Sequence, residues 1–209
     1  MKLYDYKPAP SPRRVRIFLA EKGIEVPTEQ IDLRAQSQLG EEFRRLNPQC
    51  AVPYLVLDDG TGIGESMAIC RYFEALYPEP PLFGRTPVEQ GQVEMWNRVM
   101  EFDGYLAVAE AFRNAAPGFK DRALPGPLPL EQIPALAERG RLRVARFFDA
   151  LDERLGATPF VAGDRYSVAD ITALVTVDFA GWIKLGLGAQ HGNARRWHEQ
   201  LTSRPATAA

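Results

Sequence analysis

The chain has 209 residues, of which 45% are hydrophobic, 10% aromatic and 25% charged, with a formal net charge of -2. That composition supplies a globular core, and the near-zero charge excludes a general attraction to nucleic acid or to an anionic membrane surface. No apolar run approaches the roughly 20 residues of a membrane span, and the opening MKLYDYKPAP lacks the apolar centre of a secretory leader. Cys50 and Cys70 are too few for a disulfide scaffold, so a reducing, cytoplasmic setting is expected.

In chain order, Lys2 to Tyr6 suits a short strand, with Leu3, Tyr4 and Tyr6 as its strand formers. The turn-rich KPAPSP leads into Arg13 to Lys22, where Val15, Phe18 and Leu19 recur at helical spacing. Pro12 stands at the start of that helix and Gly23 just past its end, as the asymmetry of helix termini predicts. A second strand is expected around Thr28 to Leu33, then a short helix from Glu41 to Leu46 that stops at Asn47-Pro48. Pro53 to Leu57 reads as a buried strand, Asp59-Gly60 as a hairpin turn, and Thr61 to Ile63 as the return strand. Ser66 can cap a helix with Ile69, Tyr72, Phe73 and Leu76 on one stripe, ending at Tyr77 before Pro78. The predicted order is β-α-β-α-β-β-α, which fits a sheet covered by helices.

The proline-rich stretch from Pro78 to Pro87 reads as a linker between residues 1–77 and 88–209. After it the pattern is helical: Val88 to Ala115, Leu130 to Leu155, Val168 to Leu185 and Asn193 to Arg204. Ala116 to Pro129 is a long loop that covers something or moves. The expected fold is therefore α+β in two domains, the second all-helical.

Three places can carry chemistry. Pro53 opens a strand, where its missing N–H costs nothing, and Val52-Pro53 is a candidate cis bond that would leave the Val52 N–H and C=O as a free ladder edge. A peptide-like ligand could pair with that edge; a plain strand-start proline is the alternative. Glu65-Ser66 falls where a strand hands over to a helix. There a helix N-terminus and a hydroxyl suit a carboxylate, and Glu65 suits an ammonium, so together they fit an α-amino-acid head; an ordinary N-cap is the alternative. Ser11 precedes the first helix, with Arg13 and Arg14 beside it, and suits a hydrogen bond to a thiolate or a simple N-cap. No histidine is near enough in sequence to make it a nucleophile, and no metal-ligand spacing or phosphate-binding glycine loop occurs.

Taken together, SPRRVRIFLAEKGI (Ser11–Ile24), NPQCAVP (Asn47–Pro53), ESMAICRYF (Glu65–Phe73), SVADI (Ser167–Ile171) and RWHEQLTSRPA (Arg196–Ala206) resemble the glutathione transferase family, in its order and spacing. The resemblance implies a thioredoxin-like first domain, a helical second domain, a homodimer, and glutathione as co-substrate with no metal. It implies that Val52 pairs with the cysteinyl part of glutathione beside cis Pro53, and that Glu65 and Ser66 hold the γ-glutamyl head. Gln38 falls where the family often meets the glycine carboxylate, and Ser11 would face the sulfur. Substrate contacts would come from aromatics of the helical domain, with Tyr105, Phe112, Phe119 and Trp182 as candidates. The box Ser167–Asp170 serves folding in the family.

The chain also departs from the family's pattern. Ser11 aligns with the active cysteine of one bacterial class, or with an asparagine acting beside a threonine in another. In classes whose serine or threonine lies two positions earlier, the match is Ala9. Cys50 stands where glycine is common and Ala51 where a long polar residue is, which implies weaker glutathione affinity. The glycines of DDGTGIGES imply a loose or twisted return strand. The leading expectation is a transferase that activates the glutathione thiol for attack on a small hydrophobic electrophile. A glutathione-dependent disulfide reductase or peroxidase, or a non-catalytic interaction module of the same fold, are the alternatives.

Overall fold

The computed structural model describes all residues, 1–209. In the first part, strands β1 (Lys2–Asp5), β2 (Thr28–Gln30), β3 (Tyr54–Val56) and β4 (Gly62–Gly64) alternate with helices α1 (Pro10–Glu21), α2 (Glu41–Leu46) and α3 (Ser66–Leu76) in the expected order. The sheet order is β2-β1-β3-β4; β1 and β2 run parallel, the other pairs antiparallel. The register aligns Leu3, Leu55 and Ile63 in one cross-strand row. Leu3 and Leu55 are fully buried, as are Val15, Ile17 and Phe18 of α1 and Ile69, Cys70 and Phe73 of α3. β2 is shorter than expected. Its residues Thr28, Glu29 and Gln30 are all exposed, a polar edge strand that discourages further pairing.

Two buried ion pairs fix α1. Asp5, inside the sheet, takes Arg16 Nη1 on both carboxylate oxygens at 2.7 and 2.9 Å and accepts a further bond from Gln30 Nε2 at 3.1 Å, while Arg16 Nη2 donates to the Lys7 carbonyl. Lys22, whose side chain is wholly buried, meets Glu74 at 2.7 Å and donates to the carbonyls of Tyr77 and Pro80. A buried ammonium is tolerable only when it is paired and hydrogen-bonded, and here one carboxylate and two carbonyls serve it. The hairpin glycines are not a weakness. A Cβ on Gly62 would lie 1.8 Å from the Tyr54 hydroxyl oxygen, so the bare backbone there is the bed on which the Tyr54 ring lies.

The chain separates into two compact units, Met1–Pro80 with Leu124–Pro129 and Ala209, and Pro81–Ala123 with Leu130–Ala208. Within the proline-rich stretch, Leu82 and Phe83 are buried and the Leu82 carbonyl accepts from the Val168 N–H. The helical unit holds α4 (Pro87–Val99), α5 (Leu106–Ala115), α6 (Pro134–Ala157), α7 (Val168–Ala180) and α8 (Gly192–Thr202). α4 and α5 are joined by a π-helical segment, Met100–Tyr105, where one unbroken helix was expected. Gly140 explains the tight crossing of α5 and α6: a Cβ there would stand 2.7 Å from the Ala107 carbonyl oxygen and the Ala111 nitrogen. No helix is long and apolar enough to cross a membrane.

α7 is buried along nearly its whole length and opens with the expected capping box, Ser167 and Asp170. Asp170 is at the centre of a buried knot. Its Oδ1 accepts from the Val161 N–H (2.9 Å) and from Trp197 Nε1 (3.0 Å), its Oδ2 from the Ser167 N–H and hydroxyl (3.0 and 3.2 Å). Two separate sequence segments, SVADI and RWHEQLTSRPA, thus meet in one hydrogen-bond cluster.

Candidate active site

The β3–β4 register places the sheet's outer end. Tyr54 pairs with Gly64, so the next residues outward, Pro53 and Val52, run past Glu65 and Ser66. The Val52-Pro53 bond is cis, and the ladder ends before Val52, whose N–H and C=O bond to nothing in the protein. Glu65 is the N-cap of α3 and Ser66 its first residue, one position later than a serine cap would require. The Ser66 and Met67 N–H groups begin the helix without partners, as first-turn amides do. The Glu65 carboxylate is exposed and unpaired, and its backbone has φ 63° and ψ 127°, a conformation that strains any residue with a Cβ.

Ser11 is not the N-cap of α1. The helix begins three residues earlier than its apolar periodicity suggests, with Ala9 as cap and Ser11 inside the first turn. Pro10 and Pro12 have no N–H, and the Ala9 and Arg13 amides bond to Tyr6 and Ala9 carbonyls. The Ser11 N–H is therefore the free amide of that helix start. Its hydroxyl lies 2.7 Å from the Ser66 hydroxyl, Ser66 Oγ donates to the Ser11 carbonyl at 2.9 Å, and the buried Arg14 Nη2 donates to both oxygens at 3.1 and 3.3 Å. Arginine can only donate and Ser66 spends its proton on the carbonyl, so Ser11 gives its proton to Ser66 Oγ. Both hydroxyls are committed to this ring.

Gln38 sits in a 3₁₀ turn, Ser37–Leu39, and shares no hydrogen bond with Ser11, Val52, Glu65 or Ser66; its Oε1 is buried and unpartnered. Cys50 has φ 52°, in the left-handed region where the family's usual glycine is at ease. Both cysteines are free and buried. Burial pushes the Cys70 thiol far up, so it is not a nucleophile at neutral pH.

In the helical unit the four candidate aromatics form one cluster. Phe112 touches Phe119, Trp182 and Phe179, with ring centroids 5.0, 5.2 and 5.7 Å away; Phe179 in turn meets Tyr105 at 5.7 Å and Trp182 at 5.2 Å. The missed member is Phe179. It lies on a helix that is apolar on every side, where no periodicity marks one face.

A four-stranded mixed sheet flanked by helices, with a free strand edge beside a helix start and an all-helical second unit, is a thioredoxin-like domain joined to the helical domain of glutathione transferases. Residues 9–76 match the model of the glutathione S-transferase N-terminal domain and residues 110–205 that of the C-terminal domain. The chain is 36% identical to glutathione S-transferase 2 of Saccharomyces cerevisiae over 209 residues, covering 99% of this chain and 87% of the relative. It superposes on the crystal structure of Gtt2 from the same yeast with TM-score 0.91 and 35% identity, covering 100% of this chain and 99% of the other. It is also 27% identical to the disulfide-bond oxidoreductase YfcG of Escherichia coli, over 97% of this chain and 90% of the relative. The chain belongs to the glutathione S-transferase family.

Proposed function

We propose that this chain binds glutathione in its thioredoxin-like unit, ionises the thiol and directs the thiolate to attack a small hydrophobic electrophile, joining the glutathionyl group to it. The observation that carries the reading is the unpaired Val52 backbone edge running past the start of α3. Val52 would pair with the cysteinyl backbone as an added strand. The Ser66 and Met67 amides would take the γ-glutamyl carboxylate and Glu65 its ammonium, with Gln38 left for the glycine end. The Ser11 N–H and hydroxyl would face the sulfur. For Ser11 to donate outward, Ser66 must turn its proton from the Ser11 carbonyl to Ser11 Oγ, a rotation the 2.7 Å contact permits and that leaves both Arg14 bonds in place. The electrophile would bind the aromatic cluster of the helical unit.

Calorimetric titration with glutathione tests the reading, and no heat at millimolar ligand would end it. If glutathione binds, Ser11→Ala is expected to raise the thiol pKa of the bound tripeptide by about one unit, a loss of about 1.4 kcal/mol. Turnover of a chlorodinitrobenzene at neutral pH falls about tenfold while affinity holds. An unchanged pKa, followed by thiolate absorbance, would move the sulfur's donor from the hydroxyl to the Ser11 N–H.

Similarity to a disulfide-bond oxidoreductase supports a second activity, thiol–disulfide exchange. No protein thiol is placed for it, since position 11 is serine and both cysteines are buried. Bound glutathione would itself attack the disulfide, which a hydroxyethyl disulfide assay measures. We also read the chain as a homodimer. Val88, Met95 and Phe102 recur every seventh residue, are all exposed, and are followed by exposed Leu106. Met95→Glu is expected to shift sedimentation from dimer to monomer; a wild type that already sediments as a monomer refutes this.

A further inference from the structure

The loop after α5 carries a charge arrangement that the aromatic cluster does not itself require. Arg113, at the end of α5, donates from Nε to the Ala123 carbonyl (3.2 Å) and from Nη2 to the Arg122 carbonyl (2.6 Å). Arg122 donates from Nη2 to the Gly118 carbonyl at 2.5 Å. Both guanidinium groups lie against the Phe119 ring, 4.5 and 5.4 Å from its centroid, and Phe119 in turn packs on Phe112. No carboxylate lies within ion-pairing distance of either arginine. Several other arginines of the helical unit do have carboxylate partners: Glu110 of α5 meets Arg139 and Arg143 of α6, and Glu94 and Glu101 meet Arg98. Two adjacent, half-buried cations without a counter-ion are costly, and the cost is visible at Arg113. Burial, and then the neighbouring Arg122, hold its pKa down to about 10.

The loop that bears them is built and not slack. Gln132 Nε2 donates to the Arg113 and Ala116 carbonyls, Asn114 Oδ1 accepts from the Ile133 N–H, and Leu130 and Ala123 exchange backbone bonds with the other side of the turn. Each guanidinium retains N–H groups beyond those used on the carbonyls.

We propose that the aromatic cluster with Arg113 and Arg122 is a binding site for a flat aromatic ligand bearing a carboxylate. This rests on reading the cluster as the second-substrate site and names that substrate's chemical class. The ring would lie against Trp182, Phe112 and Phe119, the members of the cluster that reach the surface, with buried Phe179 behind them. The carboxylate would take the arginine N–H groups that the loop leaves free, and the positive charge beside the cluster selects against a neutral ring of the same shape.

The test compares naphthalene-2-carboxylate with naphthalene-2-carboxamide, titrated without glutathione and followed by calorimetry and tryptophan fluorescence. The absence of glutathione makes the result independent of the tripeptide site. The carboxylate is expected to bind about tenfold more tightly than the amide, the scale of one charge-assisted pair at a partly wet site. Arg122→Gln, which leaves the Arg113 bonds to the loop in place, should bring the carboxylate down to the amide's affinity without changing the amide's. Arg113→Lys should do the same while keeping the positive charge, because a lysine lacks the fork. Equal affinity of the two probes, or a carboxylate preference that survives both substitutions, would overturn the proposal.

Discussion

Replacing Asp170 with alanine is expected to cost about 3–5 kcal/mol of folding stability, because it strands four buried donors at once. The Val161 and Ser167 amides, the Ser167 hydroxyl and the Trp197 indole all converge on this one side chain. Burial raises the Asp170 carboxyl to about 6, against the downward pull of those donors, so at neutral pH it is still an ionised acceptor for all of them. Asp170→Asn is expected to fare little better, since its amide can keep one oxygen's acceptors but turns a donor toward the others. At this chain length a loss of that size lowers the melting temperature by roughly 6–20 °C in a thermal scan. A drop below about 1 kcal/mol would mean that water replaces the carboxylate and that the cluster is not the keystone of the helical unit.

Glu65→Gly is expected to have opposite effects on stability and binding. The Glu65 backbone, at φ 63° and ψ 127°, costs on the order of 1–3 kcal/mol for a residue with a Cβ, and glycine adopts it freely. The variant should therefore unfold at higher denaturant, a gain of about 1 kcal/mol. It also removes the one unpaired carboxylate at the start of α3, the proposed partner of the γ-glutamyl ammonium. Glutathione affinity should fall by about 10- to 100-fold, the range for a hydrogen bond to a charged group. Chemical denaturation and calorimetry on the same preparation read both signs. Stability gained with affinity unchanged would remove Glu65 from the binding site and leave its strain unexplained; affinity lost without a stability gain would show that the side chain holds the conformation favourably. Glu65→Gln separates charge from backbone, with affinity expected to fall and stability to stay level.

Much of the architecture was legible because local signals agreed with the final packing. The order of strands and helices followed from alternation, caps and breakers, and the box at Ser167 and Asp170 appears where its spacing placed it. The start of α1 lies earlier than its apolar period suggests: Pro10 as well as Pro12 fits a first helical turn, so α1 takes in Ser11, and the serine is not a cap. The π-helical turn at Met100–Tyr105 left no mark, because a single widened turn barely changes the apolar period. The hairpin glycines looked like looseness, since the Tyr54 ring they accommodate lies across the strand pair and not along the chain.

The sequence by itself determined which residue types were available for chemistry: a strand-opening proline, a glutamate and serine at a helix start, a serine between prolines, and aromatics on a helical unit. It could do so because each depends on neighbours a few positions away. Only the tertiary structure decided what those residues do to one another. Ser11 and Ser66 are 55 positions apart, and their shared ring with Arg14 exists only because the sheet brings the starts of α1 and α3 together. Phe179 joins Phe112 and Trp182 across separate helices, and Arg113 and Arg122 become an unpaired cationic couple only when the loop folds back on Phe119. Direction of proton donation, burial of charge and the absence of a counter-ion are properties of contacts in space, and no spacing along the chain encodes them.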